Sequence, residues 1–277
     1  MKLIFAFSGI LMMLLAGPAT TQPTRRSLPD DNLAYPILIT IKNETGSGFY
    51  LNAPKGVYLV TAKHVLLDQN TGKLKDTSFR LLSYAKDPSD PMPNIVTVDT
   101  TKVGATSVIG HPAQDVAVMK LFERNQENPS RIIPVPGVIM RSMAKNGIVG
   151  VGMDTTTKKF AEVLVGNEVI LMGYPTSLGL QKMPQIDPMR PLLRKGIIAG
   201  LNPQSRSIIL DCPVYFGNSG GPVIEVDPDG MMGFSYRIIG VVSQYVPYAD
   251  GGKTFAIMTN SGYSVATPMD FVLDLIK

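Results

Sequence analysis

The sequence predicts an all-β protein, and three observations favour that fold class. Short runs rich in valine, isoleucine, leucine and aromatic residues recur along the chain, bounded by glycine, proline, asparagine or lysine. The 26 glycines and 22 prolines suit many tight turns. The hydrophobic fraction of 44% is enough for a core, and chains of roughly 200–250 residues often fold as one all-β unit. At this level the pattern fits either a sandwich or a barrel.

The first residues have the character of a targeting segment. Lys2 precedes an apolar run over residues 3–16, and the Gly-Pro-Ala that follows supplies small residues for a cleavage site. The run is shorter than the about 20 residues that cross a membrane comfortably. We therefore predict a signal peptide over residues 1–19, with an uncleaved anchor as the alternative. The mature chain, residues 20–277, is expected to be secreted or periplasmic, without stable membrane insertion.

The strand-like runs fall into two groups. Those of the first half lie at residues 37–41, 48–51, 57–61 and 116–118. Those of the second half lie at residues 163–173, 195–199, 207–210, 238–243 and 255–258. A proline-rich stretch at 129–136 interrupts the strand pattern, and the glycine- and threonine-rich segment 140–157 separates the groups. The tail at 268–276 has apolar residues at helical spacing after a proline, which predicts a C-terminal helix.

Composition narrows the classes of function. The formal net charge is +4 and there is no dense basic run, so no nucleic-acid partner is expected. Cys212 is the single cysteine, which excludes an intramolecular disulfide. Two histidines without a cysteine pair argue against a zinc site of the usual ligand count. We expect neither a metal nor a cofactor, and the sequence does not indicate an oligomeric state.

The most informative motif is the hexapeptide Gly-Asn-Ser-Gly-Gly-Pro at 217–222, centred on Ser219. A serine hydroxyl becomes a good nucleophile only when a base takes its proton. Acyl transfer also needs hydrogen-bond donors aimed at the developing oxyanion. Glycines around a serine let the backbone turn sharply and present its N–H groups without Cβ obstruction. The motif therefore predicts a nucleophilic serine, with a glycine-rich turn around an ordinary serine as the alternative.

Two histidines could supply the base. His64 directly follows the predicted strand 57–61, a position that fixes a side chain, whereas His111 lies in a predicted loop. His64 is therefore the candidate base, although a semi-buried structural histidine would give the same pattern. Asp115 stands before Val116 and Val118, so it can point into a crevice while the valines enter the core. It is the candidate that orients the histidine; the alternative is an aspartate that ends a loop.

The candidates occur in the order His64, Asp115, Ser219, which is the order of chymotrypsin and not that of subtilisin or the α/β-hydrolases. The chain resembles the chymotrypsin-like serine peptidases, and most closely the bacterial HtrA-like branch without disulfides. The segments that carry the resemblance are Gly46-Ser47-Gly48-Phe49, Thr61-Ala62-Lys63-His64-Val65, Asp115-Val116-Ala117-Val118, Gly173-Tyr174-Pro175, Lys195-Gly196-Ile197-Ile198, the stretch 211–222 and Gly240-Val241-Val242-Ser243.

The resemblance implies two six-stranded antiparallel β-barrels, at about residues 32–140 and 150–277, with the active site between them. It implies that His64 is the general base and then the general acid, that Asp115 fixes the imidazole tautomer, and that Ser219 attacks the scissile carbonyl. The N–H groups of Gly217 and Ser219 would form the oxyanion hole.

The resemblance also implies a substrate groove. Ser243 matches the strand serine that lines this groove and often supports the aspartate, and residues 241–245, which include Tyr245, are expected to form part of the pocket wall. Pro213, six positions before Ser219, stands where trypsin has its aspartate, so no carboxylate is expected there for Arg or Lys. An apolar P1 residue is the default expectation, and Lys253 could instead favour an acidic one.

Two departures from the family pattern stand out. HtrA-like proteins usually carry a PDZ domain after the peptidase, and none is expected in this chain. Asn218 replaces the aspartate that precedes the nucleophile in animal digestive enzymes. A buried ammonium needs an anionic partner, so activation by a new N-terminus is not expected.

Three other functions stay open. A non-catalytic binding protein could retain the same fold, and an esterase could use the same three residues. A cysteine nucleophile at Cys212 is a further alternative, although no glycine-rich loop surrounds it. The prediction is a serine endopeptidase that hydrolyses protein or peptide substrates through an acyl-enzyme.

Overall fold

The computed structural model describes residues 28–87, 89–104, 107–143, 147–176, 183–228, 233–251 and 256–276. The predicted signal peptide, Lys253 and the start of the predicted strand 255–258 lie outside these ranges. Five short helical segments are present in the described part of the chain: α1 (Asp30–Leu33), α2 (Lys63–Leu66), α3 (Thr100–Val103), a 3₁₀ turn (Phe160–Glu162) and α4 (Met269–Leu273).

The first half of the chain forms one curled sheet. Its strands are β1 (Pro36–Ile41), β2 (Glu44–Ala53), β3 (Gly56–Thr61), β4 (Ser78–Tyr84), β5 (Pro93–Asp99), β6 (Val108–Gly110), β7 (Ala117–Arg124), β8 (Ile132–Pro134), β9 (Val138–Ser142) and β10 (Gly150–Gly152). The hydrogen-bonded order is β6-β7-β3-β2-β1-β4-β5-β9, with β8 added to β7 and β10 added to β2. Its concave face buries an aliphatic and aromatic core that includes Ile39, Leu59, Leu81, Val98 and Phe122.

The second half forms a closed antiparallel barrel. Its strands are β11 (Glu168–Gly173), β12 (Leu192–Asn202), β13 (Ser207–Asp211), β14 (Pro222–Pro228), β15 (Phe234–Gly251) and β16 (Ala256–Pro268). They close in the order β11-β12-β13-β16-β15-β14. The predicted all-β architecture of two β-units followed by a C-terminal helix is thereby confirmed. The expected six strands hold for this barrel, whereas the first unit has ten strands and its described ladder does not close.

The two halves share a hydrophobic core. Phe49 and Val118 of the first sheet pack with Met172 and Val241 of the barrel, and Phe271 of α4 joins them. Pro268 precedes α4, because its fixed φ suits the start of a helix and its missing N–H would be unpaired there. This shared core holds the facing edges of the two halves in one arrangement, and the edges form the walls of a cleft.

The segment between the halves is fixed by buried charge. Lys158 is 4% exposed, and its Nζ lies 2.9 Å from carboxylate oxygens of Glu225 and of Asp227 on β14. The other Glu225 oxygen accepts a 2.7 Å hydrogen bond from Asn167 Nδ2. A buried charge without such partners would be strongly destabilising. The pairs therefore specify where the connecting chain crosses the barrel.

Several strands differ from the sequence prediction. The proline-rich stretch 129–136 contains β8, which pairs with β7 at the edge of the sheet, where proline's missing N–H is tolerated. The predicted strand 163–173 begins at Glu168, because the 3₁₀ turn occupies the chain just before it. Residues 150–152 were expected to open the second barrel, but they pair in parallel with β2.

Glycines explain the position of β10. A Cβ at Gly150 would lie 2.7 Å from Asn52 Nδ2, and the glycine instead lets its carbonyl accept a hydrogen bond from that amide at 3.0 Å. Val151 between the two glycines is fully buried in the core that the halves share.

Among the described residues, no helix has the length and apolar character that a membrane span requires.

Candidate active site

His64 is held by the end of a buried strand. β3 stops at Thr61, and α2 follows at once with Val65 and Leu66 buried beneath it. These apolar anchors fix the single turn that carries His64, while the imidazole side chain stays 26% exposed at the cleft. The apolar and polar residues at 57–66 thus place an imidazole at the end of an inner strand of the first sheet.

Asp115 lies opposite His64, on the loop before β7. Its Oδ2 lies 2.6 Å from His64 Nδ1, and its Oδ1 accepts a hydrogen bond from the His64 backbone N–H at 2.9 Å. Both carboxylate oxygens therefore fix one histidine. Since Nδ1 must carry the proton in this pair, Nε2 is left with the lone pair of the neutral imidazole. The next residue, Val116, is fully buried and anchors the loop.

The charge of Asp115 is set by opposing effects. Partial burial raises the pKa of the carboxyl group, but the hydrogen bonds and the charge of His64, with a smaller effect of Lys63, outweigh burial and lower the pKa overall. Asp115 is therefore a carboxylate at neutral pH. A carboxylate in this position can stabilise an imidazolium that forms on His64.

Ser219 lies on the loop between β13 and β14, in the same cleft as His64 and Asp115. The loop needs glycine at two positions. Gly217 has a φ of +94°, and a Cβ there would lie 2.1 Å from the Tyr174 carbonyl oxygen. Gly220 has a φ of +88°, and a Cβ there would lie 2.0 Å from the Ser47 carbonyl oxygen. Side chains at these positions would push the loop away from its supports.

Two carbonyl groups of the loop accept backbone hydrogen bonds. The Phe216 carbonyl accepts a hydrogen bond from Thr176 N–H at 2.8 Å, and the Asn218 carbonyl accepts one from Gly221 N–H at 3.0 Å. In a trans peptide the C=O and N–H point in opposite directions. The next N–H groups, those of Gly217 and Ser219, therefore point the other way, and neither has an acceptor among the residues that the structure describes. Two unpaired donors beside a serine can bind an oxyanion.

Asn218 orders this loop from inside. It is 1% exposed, its Oδ1 accepts a hydrogen bond from Tyr215 N–H at 3.0 Å, and its own N–H donates to the Tyr215 carbonyl at 3.0 Å. The neutral amide thus makes local hydrogen bonds that close residues 215–218 into a turn. No ammonium group is required to hold it.

Ser47 is a residue whose importance the sequence did not reveal. It is fully buried on β2, and its Oγ donates to the Gly217 carbonyl at 2.6 Å and accepts from Tyr174 N–H at 2.9 Å. Its backbone N–H donates to the Ser219 carbonyl at 2.8 Å. One residue of the first sheet therefore holds the serine loop at two points, with its side chain at Gly217 and with its backbone at Ser219. A serine between two glycines was the only available signal.

Comparison with known proteins identifies the family. The family model described as trypsin-like peptidase domain matches residues 46–231. The chain belongs to this family. It is thus a peptidase domain, a hydrolase, and the family implies the serine type. A sequence search of curated proteins found no match.

A comparison with solved structures found similar chains, HtrA-type proteases among them. A serine endoprotease from Yersinia pestis is 16% identical with a TM-score of 0.48, over 92% of this chain and 66% of that one. The HtrA-type protease AlgWS227A with tripeptide is 18% identical with a TM-score of 0.46, over 88% and 59%. Deg5 is 19% identical with a TM-score of 0.47, over 87% of both. The chain thus spans about two thirds or less of the first two.

The groove of the peptidase domain contains two of the three predicted substrate-binding residues. Ser243 and Tyr245 line the cleft. Pro213 does not line it, whereas Val214 and Phe216, which follow in the chain, do. Ser243 Oγ donates to the Val265 carbonyl at 3.0 Å and does not bond Asp115. Ser243 lies at a register shift of β15, and such a bulge re-aims a side chain.

The other candidate nucleophile, Cys212, and the other candidate base, His111, both have contacts that indicate a structural role. Cys212 is fully buried in the apolar core of the barrel, and burial raises the pKa of its thiol to about 11, so it is protonated at neutral pH. His111 lines the cleft, but its ring bonds its own loop. Within the described ranges, no group of three or more His, Cys, Asp and Glu side chains is arranged to hold a metal ion.

Proposed function

We propose that this peptidase domain is a serine endopeptidase in which Ser219 is the nucleophile, His64 the base and Asp115 the residue that orients His64. The observation that carries the proposal is that the hydrogen-bonded pair of His64 and Asp115 lines the same cleft as Ser219. The pair comes from the first sheet and the serine from the second barrel. In this proposal the base comes from one half of the molecule and the hydroxyl from the other.

The reaction proceeds through an acyl-enzyme. His64 Nε2 takes the hydroxyl proton as Ser219 Oγ attacks the scissile carbonyl carbon. The tetrahedral intermediate collapses when His64 gives that proton to the leaving amine, and the peptide bond breaks. Water then loses a proton to His64 as it attacks the acyl carbon. The bond from that carbon to Ser219 Oγ breaks as His64 returns the proton to Oγ, and the acyl group leaves as a carboxylic acid. Asp115 keeps the proton on Nδ1, so that Nε2 is available as the base at the start of each cycle.

The N–H groups of Gly217 and Ser219 are the proposed oxyanion hole. Their orientation away from the carbonyls of Phe216 and Asn218 supports this assignment. A preorganised donor pair stabilises the charge that develops on the carbonyl oxygen without reorganisation during the reaction. Losing one such donor typically lowers kcat by about 10²–10³-fold.

The proposed substrates are proteins or peptides with an apolar P1 residue. The cleft has a volume of about 1430 Å³, which exceeds the roughly 300–1,000 Å³ of pockets that enclose a small ligand. On the Ser219 side its described lining carries no charged side chain; the lining there is Thr176, Val214, Tyr215, Phe216, Ser243, Gln244, Tyr245 and Pro247. An Arg or Lys at P1 would find no described carboxylate on this wall.

We also propose that residues 1–19 are a signal peptide and that the mature enzyme acts outside the cytoplasm, as a secreted or periplasmic protein. The apolar run at 3–16 after Lys2 supports this proposal. N-terminal sequencing of the exported protein should find Thr20. An active, exported chain that still starts at Met1 would contradict it.

The test of the proposed activity is casein hydrolysis by the wild-type protein and by Ser219→Ala. The variant should lose on the order of 10⁶-fold in kcat, because the hydroxyl is the attacking group, while its thermal unfolding midpoint stays that of the wild type. Prior treatment with a serine-directed fluorophosphonate should abolish wild-type hydrolysis. Unchanged turnover by folded Ser219→Ala would refute the assignment.

A further inference from the structure

The loop that carries Asp115 is closed by a histidine ring. His111 Nδ1 accepts hydrogen bonds from two backbone N–H groups, that of Gln114 at 2.9 Å and that of Ala113 at 3.2 Å. A ring nitrogen accepts only when it carries no proton. His111 is therefore neutral in this structure, with its proton on Nε2. His64 has the opposite tautomer, because its Nδ1 faces the Asp115 carboxylate.

The closed loop determines where Asp115 lies. The His111 N–H donates to the Val116 carbonyl at 2.8 Å, and the Val116 N–H donates to the Gln114 carbonyl at 3.0 Å. Val116 is fully buried at the start of β7. Asp115 thus has a neighbour on one side that the imidazole holds and a neighbour on the other side that the core holds.

The same loop is tied to the segment of His64. Lys63 Nζ donates to the His111 carbonyl at 2.8 Å, and Lys63 directly precedes His64. The edge of the His111 ring packs on Phe271 of α4, with ring centroids 4.9 Å apart. His111 therefore lies where three elements meet: the Asp115 loop, α2 and the C-terminal helix.

The charged groups around His111 come from each of these elements. Lys63 belongs to α2 and Asp115 to the loop, α4 contributes Asp270, and Asp274 directly follows α4. Arg206, from the turn before β13, pairs with Asp270 at 2.6 Å and stacks on Phe271. Partial burial lowers the pKa of His111, Asp274 opposes this by raising it, and Lys63 lowers it further, so that the net direction is down from 6.5. The neutral form is therefore favoured at neutral pH.

We propose that His111 is a positioning residue for Asp115 and a pH-sensitive switch for the active site. Its neutral imidazole holds the loop closed, and protonation replaces the acceptor with a third N–H donor facing two others. The loop then loses both hydrogen bonds, and Asp115 loses its fixed position beside His64. This inference rests on the proposed role of Asp115 in catalysis.

The sign of the pH effect follows from the neutral requirement. A histidine whose pKa is lowered on folding contributes stability above its unfolded value of about 6.5, and the contribution is lost as the pH falls through the folded value. Activity should therefore fall on the acid side with one protonation more than the catalytic mechanism itself requires, namely that of His111. The fall with pH should be steeper than one ionisation allows.

The activity test compares His111→Asn with His111→Ala. Asparagine Oδ1 stands on the same branch as histidine Nδ1 and can cap the two N–H groups, but it does not ionise. His111→Ala should lower kcat on the order of 10- to 100-fold at neutral pH, because Asp115 is misplaced. His111→Asn should restore kcat to within a few-fold of the wild type and leave an acid limb of a single ionisation.

Two outcomes would overturn the inference: a His111→Ala enzyme with wild-type kcat, or a His111→Asn enzyme whose acid limb is as steep as that of the wild type. A purely structural role would change stability without removing an ionisation. If the wild type hydrolyses no peptide or ester at any pH, the proposed function fails, and the capping role must be judged separately.

That separate test is nitrogen NMR of the imidazoles. The chain has only two histidines, so the spectrum of His111→Asn assigns both. At neutral pH, His111 should show an unprotonated Nδ1 and His64 a protonated Nδ1, and the His111 signals should change on acidification together with the amide signals of Ala113 and Gln114. A protonated His111 Nδ1 at neutral pH would refute the cap, whatever the activity.

Discussion

The two halves of the molecule contribute to the cleft in different ways. The first sheet supplies side chains, His64 and Asp115, which are fixed by hydrogen bonds within that half. The barrel supplies Ser219 and two backbone N–H groups on a glycine-rich loop, whose support comes partly from Ser47 across the boundary. The position of His64 beside Asp115 is therefore a local property of one half, whereas the serine loop depends on how the halves meet.

The shared core fixes the relative position of the two halves, on which the position of the serine loop depends. The closed barrel has no hydrogen bond of its own from a side chain to the Gly217 carbonyl among the described residues, and the open sheet provides one from a buried serine. A shift between the halves would move the Ser219 loop relative to His64 but would leave the pair of His64 and Asp115 intact. Substitutions in each half should thus have separable effects.

The largest effect in this comparison is expected for Asp115→Asn. The amide can place an N–H group against His64 Nδ1, which favours the tautomer with the proton on Nε2 and removes the base. We expect a loss on the order of 10⁴-fold in kcat at neutral pH, as for the equivalent substitution in chymotrypsin-like enzymes, with KM little changed. Steady-state kinetics on a peptide substrate measures this, and a loss below tenfold would contradict the local account.

A smaller effect is expected for Ser47→Ala. Without the hydroxyl, the Gly217 carbonyl and Tyr174 N–H lose a buried partner, which lowers the free energy of unfolding by about 1–3 kcal/mol. The serine loop should also shift, and kcat should fall on the order of 10- to 100-fold. Denaturant unfolding and kinetics measure the two effects separately.

Ser264→Ala is the matched control. Ser264 is also a fully buried serine, and its Oγ donates to the Cys212 carbonyl at 2.7 Å within the barrel. Its loss should reduce stability to a similar extent without the fall in kcat. If both variants lower kcat equally, the link across the boundary is not specific.

Much of the fold follows from local pattern, and the remainder depends on tertiary pairing. The runs at 37–41, 57–61 and 207–210 are strands because apolar residues lie between turn signals. β4 and β5 were not predicted, although Phe79, Leu81, Val96 and Val98 alternate with polar residues along them. A three-residue strand such as β10 leaves no periodic signal, and its parallel pairing with β2 is decided by distant residues.

The candidate site shows the same limit. Residue type and order single out His64, Asp115 and Ser219, because their proposed chemistry depends on side-chain identity, which the sequence gives directly. The groove residues depend on how the loop before Ser219 folds, which the sequence alone does not give. Val214, Tyr215 and Phe216 line the cleft, whereas Pro213, which was expected there, does not. Ser47 bonds backbone groups that are far from it in sequence, and His111 bonds backbone groups of its own loop. Residue type alone indicates neither contact.

The central claim is that both halves activate one serine, and the most direct test is to map the covalent adduct of a fluorophosphonate probe. Folded protein should take up one probe per chain at neutral pH, on the peptide that carries Ser219. Cys212→Ala should label as the wild type does, because the Cys212 thiol is buried with its pKa raised to about 11. Ser219→Ala should not label. An adduct on another residue, or a folded wild type that hydrolyses casein yet leaves Ser219 unmodified, would contradict the account.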